Sequence, residues 1–92
     1  MQNKISVITV VFNDVTHIRE TMESFFSQTW EDKEYIVIDG GSTDGTADIV
    51  RSYANRLAYW CSETDNGIYD AMNKGIGHAT GDWINILNSG DL

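Results

Sequence analysis

The stretch Tyr35-Ile-Val-Ile-Asp-Gly-Gly-Ser-Thr-Asp-Gly-Thr46 changes character twice within a few residues. It opens on the apolar run Tyr35, Ile36, Val37 and Ile38. The run is too short for a helix and rich in β-branched and aromatic residues, so it reads as a buried strand. It stops at Asp39, Gly40 and Gly41. Adjacent glycines let a backbone turn sharply, including through positive φ. Ser42, Thr43 and Asp44 are good N-cap residues, and a helical pattern begins behind them. The order is strand, carboxylate, glycine turn, capped helix. Asp39 therefore belongs at the carboxyl end of a strand, where open α/β sheets bind ligands.

Upstream, the run 5–12 (Ile-Ser-Val-Ile-Thr-Val-Val-Phe) is dense in β-branched residues, as in strands covered on both faces. Asn13 and Asp14 end it and can cap a helix whose apolar positions are Val15, Ile18, Met22, Phe25 and Phe26, one face at helical spacing. Downstream of the central stretch, a second helix is expected from Asp44 or Gly45 to about Asn55, with Ala47, Val50 and Ala54 inward. A third strand is expected over 57–61, and a polar turn over 62–67. A third helix over 68–78 has Ile68, Met72 and Ile76 at helical spacing, and a fourth strand is expected over 82–87. The alternation β-α-β-α-β-α-β implies an α/β fold with a mainly parallel sheet and right-handed crossovers.

Ninety-two residues make at most one small domain. The chain stops just after its fourth strand, so it is expected to be the amino-terminal part of a longer protein, a single partial domain over residues 1–92. Six basic against fourteen acidic residues give a formal charge of −8, which argues against non-specific nucleic-acid binding. An acidic site holds an anionic ligand only with a cation between them, so a phosphate ligand would call for a divalent metal. The lone Cys61 fits a reducing compartment and a place in a strand. No apolar run approaches membrane-spanning length. The expected location is the cytoplasm, at the inner membrane face in a full-length protein. An uncovered sheet edge invites pairing with a second copy, so a homo-oligomer is also an expectation.

Three acidic loops follow strands: Asp39, Asp65 and Asp91. In a parallel sheet all emerge at one edge, together with Asn13 and Asp14. Converging carboxylates suit a hard ion such as Mg²⁺ or Mn²⁺. The alternative for each is a helix cap or loop turn, which is the better reading for Asp44. A dinucleotide fold would need glycines in the first strand–helix turn, but that turn is Phe12-Asn-Asp-Val15. No phosphate-cradling P-loop, zinc spacing or Gly-x-Ser-x-Gly elbow occurs. His17 and His78 read as surface residues; Trp30, Trp60 and Trp83 read as packing residues.

The segments Ser6-Val-Ile-Thr-Val-Val-Phe-Asn13, Ser24-Phe-Phe-Ser-Gln-Thr-Trp30 and Glu34-Tyr-Ile-Val-Ile-Asp-Gly-Gly-Ser-Thr-Asp-Gly-Thr46 resemble the start of a family 2 glycosyltransferase with the GT-A fold. Asp65-Asn-Gly-Ile-Tyr-Asp-Ala-Met-Asn-Lys-Gly-Ile76, Gly81-Asp-Trp-Ile84 and Leu87-Asn-Ser-Gly-Asp91 continue it, in order and over essentially the whole chain. The resemblance implies a Rossmann-like, nucleotide-sugar-binding half of an inverting enzyme of cell-surface polysaccharide synthesis. It implies a UDP- or GDP-linked sugar donor and a hydroxyl acceptor on a glycan or lipid carrier. Val10 and Asn13 would line the base pocket, and Asp39 would contact base or ribose. Asp65, Gly67 and Lys74 would flank the nucleotide, and Asp91 would hold Mn²⁺ or Mg²⁺ on the diphosphate. The metal motif keeps one carboxylate where the family often has two or three, and an arginine common before Ala71 is missing. The general base of inverting members falls beyond Leu92, so the chain alone is expected not to transfer sugar. The rival reading is a non-catalytic α/β binding or assembly module with a vestigial donor site.

Overall fold

The structure is a computed structural model and describes residues 4–28, 32–64 and 67–87. Four strands, β1 (Ile5–Val11), β2 (Lys33–Asp39), β3 (Tyr59–Ser62) and β4 (Trp83–Ile86), form one sheet in the order β3-β2-β1-β4. Every pairing is parallel. Helices α1 (Ile18–Phe26) and α2 (Thr46–Ser52) carry the first two crossovers, and α3 (Ile68–His78) carries the third. The chain reverses direction across the sheet after β3, so β4 joins the far side of β1. The expected alternating α/β fold with a parallel sheet is therefore what forms.

Side-chain alternation builds two cores. Val7 and Val11 of β1 and Tyr35 and Val37 of β2 face α1 and α2, where Ile18, Met22, Phe25, Val50 and Tyr53 close over them. Phe25 stacks on Tyr35 with centroids 4.1 Å apart, and the Tyr35 hydroxyl meets Thr9 Oγ1 at 2.6 Å. The alternate residues Ile8, Ile36 and Ile38 face Ala71 on α3, with Cys61 packed at the margin. Gly75 lets α3 lie close: a Cβ there would stand 2.6 Å from Ile8 Cγ2.

Element ends depart from the sequence expectations for local reasons. β1 stops at Val11, because Asn13 turns through φ 49°. Asn13 and Asp14 do not cap α1 through their side chains; the helix starts later, with His17 at the cap position. Val15 lies in the turn before it and is part-exposed. Gly45, in the left-handed region, takes the cap position of α2 expected for residues 42–44. Asp44 instead accepts from Thr46 N at 3.0 Å. The second helix ends at Ser52 and tightens into a 3-10 turn, Ala54–Arg56. This delays β3 to Tyr59, after Ala58 N bonds to Tyr35 O at 2.8 Å. Trp60 packs against the core as expected, but Trp83 does not: it is 61% exposed on the edge strand β4. Trp30 lies outside the described residues.

At the amino edge of the sheet, Glu34 collects Ser6 Oγ at 2.6 Å, Thr80 N at 2.7 Å and Thr80 Oγ1 at 3.0 Å, with Lys4 Nζ at 3.3 Å. Ser6 Oγ also accepts from Gly81 N at 2.8 Å. This cluster fastens the turn before β4 to β1 and β2. Burial works to raise the Glu34 carboxyl, but the bonds from Ser6, Thr80 and Lys4 outweigh it and hold the carboxyl at about 2, below its ordinary 4.5.

Two stability experiments follow from these contacts. Gly75→Ala should destabilise by about 1–3 kcal/mol through overpacking. Gly77→Ala, two residues on, has nothing within 4 Å of the added carbon and should stabilise by about 0.5–1 kcal/mol. Thermal unfolding of the two variants reads the contrast. For Glu34, a depressed folded pKa means stability that is present above the ordinary value and lost as the pH falls towards about 2. Glu34→Gln should therefore be less stable than wild type near neutrality. Denaturant titrations should show that gap closing from about pH 5 down to about pH 2.

Candidate functional site

At the carboxyl edge, the strands end against loops that cannot follow the ladder. Gly40 N still bonds to Val11 O at 2.9 Å, and Glu63 N to Asp39 O at 3.0 Å. Beyond those bonds the chain opens a cleft of about 420 Å³, lined by Val10, Val11, Phe12, Gly40, Thr64, Gly67 and Ala71. Phe12 is 62% exposed, an aromatic ring presented at the mouth instead of buried in a core. Gly67 (φ 110°) sits at the cap position of α3, so the amino end of an eleven-residue helix opens beside the cleft. Backbone N–H groups and the helix dipole there favour negative charge.

The predicted residues divide. Val10 and Gly67 line the cleft. Asn13 does not: its backbone N–H donates to Ser42 Oγ at 2.7 Å, and its Oδ1 accepts from Thr43 N at 2.8 Å. Asp39 is 0% exposed and absent from the cleft wall. Its Oδ2 accepts from Gly41 N (3.2 Å), Ser42 N (2.9 Å) and Ser62 Oγ (2.7 Å), and its Oδ1 from Ser42 Oγ (2.5 Å). The neighbour that does reach the wall is Gly40. Lys74 lies one turn along α3 from Ala71, with Glu63 Oε1 at 3.0 Å and Asp70 Oδ2 at 3.9 Å. Asp65 and Asp91 lie outside the described residues.

A carboxylate offers about four acceptor positions. Asp39 accepts four bonds from its own turn and from β3 and is fully buried among those donors, so it does not fit as a metal ligand. Among the described residues no group of three or more His, Cys, Asp or Glu is placed to hold a metal. The two histidines sit at the surface, as the sequence indicated. His17 pairs with Asp14 at 2.7 Å, and that hydrogen bond raises its pKa; His78 stacks on Tyr59.

Sequence reasoning did not single out Val11, Phe12, Gly40, Thr64 and Ala71 as wall residues. Phe12 was read as the last residue of a buried strand. The signal against this was the Asn13-Asp14 pair behind it, which ends the ladder one residue earlier.

With the geometry in view, the kinship of the chain is direct. The family model for glycosyl transferase family 2 matches residues 6–91, and the chain belongs to that family. An uncharacterized glycosyltransferase of Mycobacterium tuberculosis is 46% identical over 88 residues, covering 95% of this chain and 34% of the relative. A PGL/p-HBAD biosynthesis glycosyltransferase of Mycobacterium bovis is 38% identical, over 94% of this chain and 35% of the relative. The chain thus spans about a third of the length of these curated relatives. Among solved structures, the mannosyltransferase PcManGT of Pyrobaculum calidifontis, in complex with GDP-Man and Mn²⁺, superimposes with a TM-score of 0.82 at 30% identity, over 91% of this chain and 26% of that one. S. aureus TarS in complex with UDP gives 0.82 at 31% identity, over 94% and 27%. The sheet is that of the GT-A glycosyltransferases.

The turn after β2 is closely constrained. Gly41 stands at φ 89°, and a Cβ there would meet Thr64 Oγ1 at 3.1 Å. Gly41→Ala is expected to cost about 1–3 kcal/mol from backbone strain and to displace Thr64 from the cleft wall. Thermal unfolding together with backbone amide shifts at Thr64 checks both effects.

Proposed function

We propose that this chain forms the donor-binding part of a glycosyltransferase that moves a sugar from a UDP- or GDP-linked donor to a hydroxyl on a glycan or lipid-linked acceptor. The observation that carries the proposal is the cleft at the carboxyl edge, with exposed Phe12 on one side and the amino end of α3 on the other. A flat aromatic face suits a nucleotide base, and a helix amino terminus suits the diphosphate. Val10, Val11 and Ala71 supply the apolar wall between them. The complexes of PcManGT with GDP-Man and of TarS with UDP support the ligand class. The mycobacterial relative named for PGL/p-HBAD biosynthesis supports a biosynthetic glycosylation, and in this reading the pathway would be cell-surface polysaccharide synthesis.

In this reading Asp91 would bind Mn²⁺ or Mg²⁺, a hard ion suited to carboxylate and phosphate oxygens. The Mn²⁺ in the PcManGT complex supports that choice. Bound there, the metal would supply Lewis-acid stabilisation of the departing diphosphate. Asp65, Gly67 and Lys74 would flank the nucleotide, and Lys74 would add positive charge near the phosphates. Transfer would proceed with inversion, using a base and an acceptor site from residues outside this chain, at the cytoplasmic face of the membrane. Among the described residues, no helix is long and apolar enough to cross a membrane.

Calorimetric titration of UDP and GDP, with and without Mn²⁺, tests the reading. Binding that requires Mn²⁺ and is lost in Asp91→Ala is the expected result. No binding of either nucleotide to the wild-type protein would favour a non-catalytic α/β module instead. Phe12→Ala should weaken nucleotide binding by about 1–3 kcal/mol, the usual worth of an aromatic–base stack. Phe12→Tyr should keep the affinity, and neither variant should shift the unfolding temperature much, since the ring is largely exposed.

A further inference from the structure

Asp39 sits beside the cleft without touching it, and its bonds, direct or relayed through Ser42, reach every strand end that forms the wall. Within β2's own turn it holds Gly41 N and Ser42 N. Across to β3 it holds Ser62 Oγ. Towards β1 it acts through a relay: Ser42 Oγ donates to Asp39 Oδ1 and accepts from Asn13 N at 2.7 Å. Asn13 returns the link, its Oδ1 accepting from Thr43 N. Asn13 also occupies positive φ, a region that non-glycine residues seldom enter, and it does so immediately after Phe12. One carboxylate and one hydroxyl therefore tie together the ends of β1, β2 and β3. The residues beside these ties, Phe12, Gly40 and Thr64, are wall residues of the cleft.

We infer that Asp39 and Ser42 are positioning residues of the donor cleft: they set the spacing of Phe12, Gly40 and Thr64 and make no contact with the nucleotide. The inference rests on the donor-site reading above. It differs from a direct role for Asp39 at base or ribose, because the carboxylate is fully buried and already accepts four bonds from the surrounding loops. A ligand could reach the carboxylate only by parting the loops that enclose it, which would leave their donors unpaired and is unfavourable. Ser42 is the discriminating residue, because its hydroxyl joins Asp39 to β1 and lies outside the cleft lining.

A double-mutant cycle tests this. UDP and GDP are titrated, with Mn²⁺ present, into wild type, Asp39→Asn, Ser42→Ala and the double variant. The expected result is that each single change weakens binding by about tenfold, the scale of a lost charge-assisted bond. The UDP-to-GDP preference should stay as in wild type, and the double variant should bind no worse than the weaker single. Additive losses, or a changed preference in Asp39→Asn with Ser42→Ala silent, would show direct contact and overturn the inference. So would variants that unfold at lower temperature but bind as wild type does. If Asp39→Asn does not fold, Ser42→Ala decides alone: weakened binding at unchanged preference supports the inference, and unchanged binding overturns it. Wild type that binds neither nucleotide would overturn the donor-site reading, and this inference with it.

Discussion

Seven residues of β1 lie beside seven of β2, from Ile5 opposite Lys33 to Val11 opposite Asp39. Both strands are central, flanked by β4 on one side and β3 on the other. A strand covered on both faces has no solvent side to spend on polar residues, so nearly every residue must be apolar or hydrogen-bonded. The polar exceptions obey this. Thr9 meets Tyr35 Oη, Ser6 meets Glu34, and Asp39 meets its turn. Parallel pairing also fixes where the ends fall. Both strands point the same way, so the loops that leave them open on one edge, and the crossover helices must return over the faces. The position of the cleft is thus a consequence of the pairing that makes the core.

β2 carries a carboxylate near each end, and the two do similar work at opposite edges. Glu34 gathers Ser6, Thr80 and Lys4 and locks the turn before β4 to the sheet. Asp39 gathers Gly41, Ser42 and Ser62 and locks the turn after β2 to β3. Each buried carboxylate would be costly alone, and each is surrounded by donors that offset the cost. The difference lies in what is fastened. Glu34 joins segments of the scaffold, whereas Asp39 joins the loops that shape a cavity. Rigid strands with their ends stitched together give a preorganised opening, and preorganisation reduces what a ligand must expend in ordering its site.

Much of this was legible in the residues. The β-branched run 5–12 and the Tyr35–Ile38 run gave the central strands, because burial on both faces leaves a continuous apolar signal. The spacing of Ile18, Met22 and Phe25 gave α1, and all three are buried. Boundaries were less legible, because they depend on single hydrogen bonds between distant segments. The late start of β3 follows from the 3-10 turn Ala54–Arg56, and pairing with β2 begins only with the Ala58–Tyr35 bond behind it. The site divided along the same line. Val10 and Gly67 stand at the cleft, while Asp39 turns inward to donors that include Ser62, which comes from a different strand. An acidic residue before two glycines looks the same in sequence whether it faces a ligand or its own loop. Only the fold shows which donors reach it first.

The charge of the chain bears on the same question. A formal charge of −8 should repel a nucleoside diphosphate, yet the described wall of the cleft carries no charged side chain at all. Among the described residues, Asp39 is held by its turn, and Glu63 and Asp70 stand against the Lys74 ammonium. Attraction can come from the α3 amino end, whose partial positive charge acts over short range and costs no reorganisation. Such a site holds an anion weakly by itself, because a helix terminus supplies only a fraction of a unit charge. Under the proposed function a divalent ion would then supply most of the electrostatic attraction for the donor. The loop around Asp39 then contributes shape instead of charge: it sets how far the aromatic face of Phe12 stands from the helix terminus that meets the phosphates.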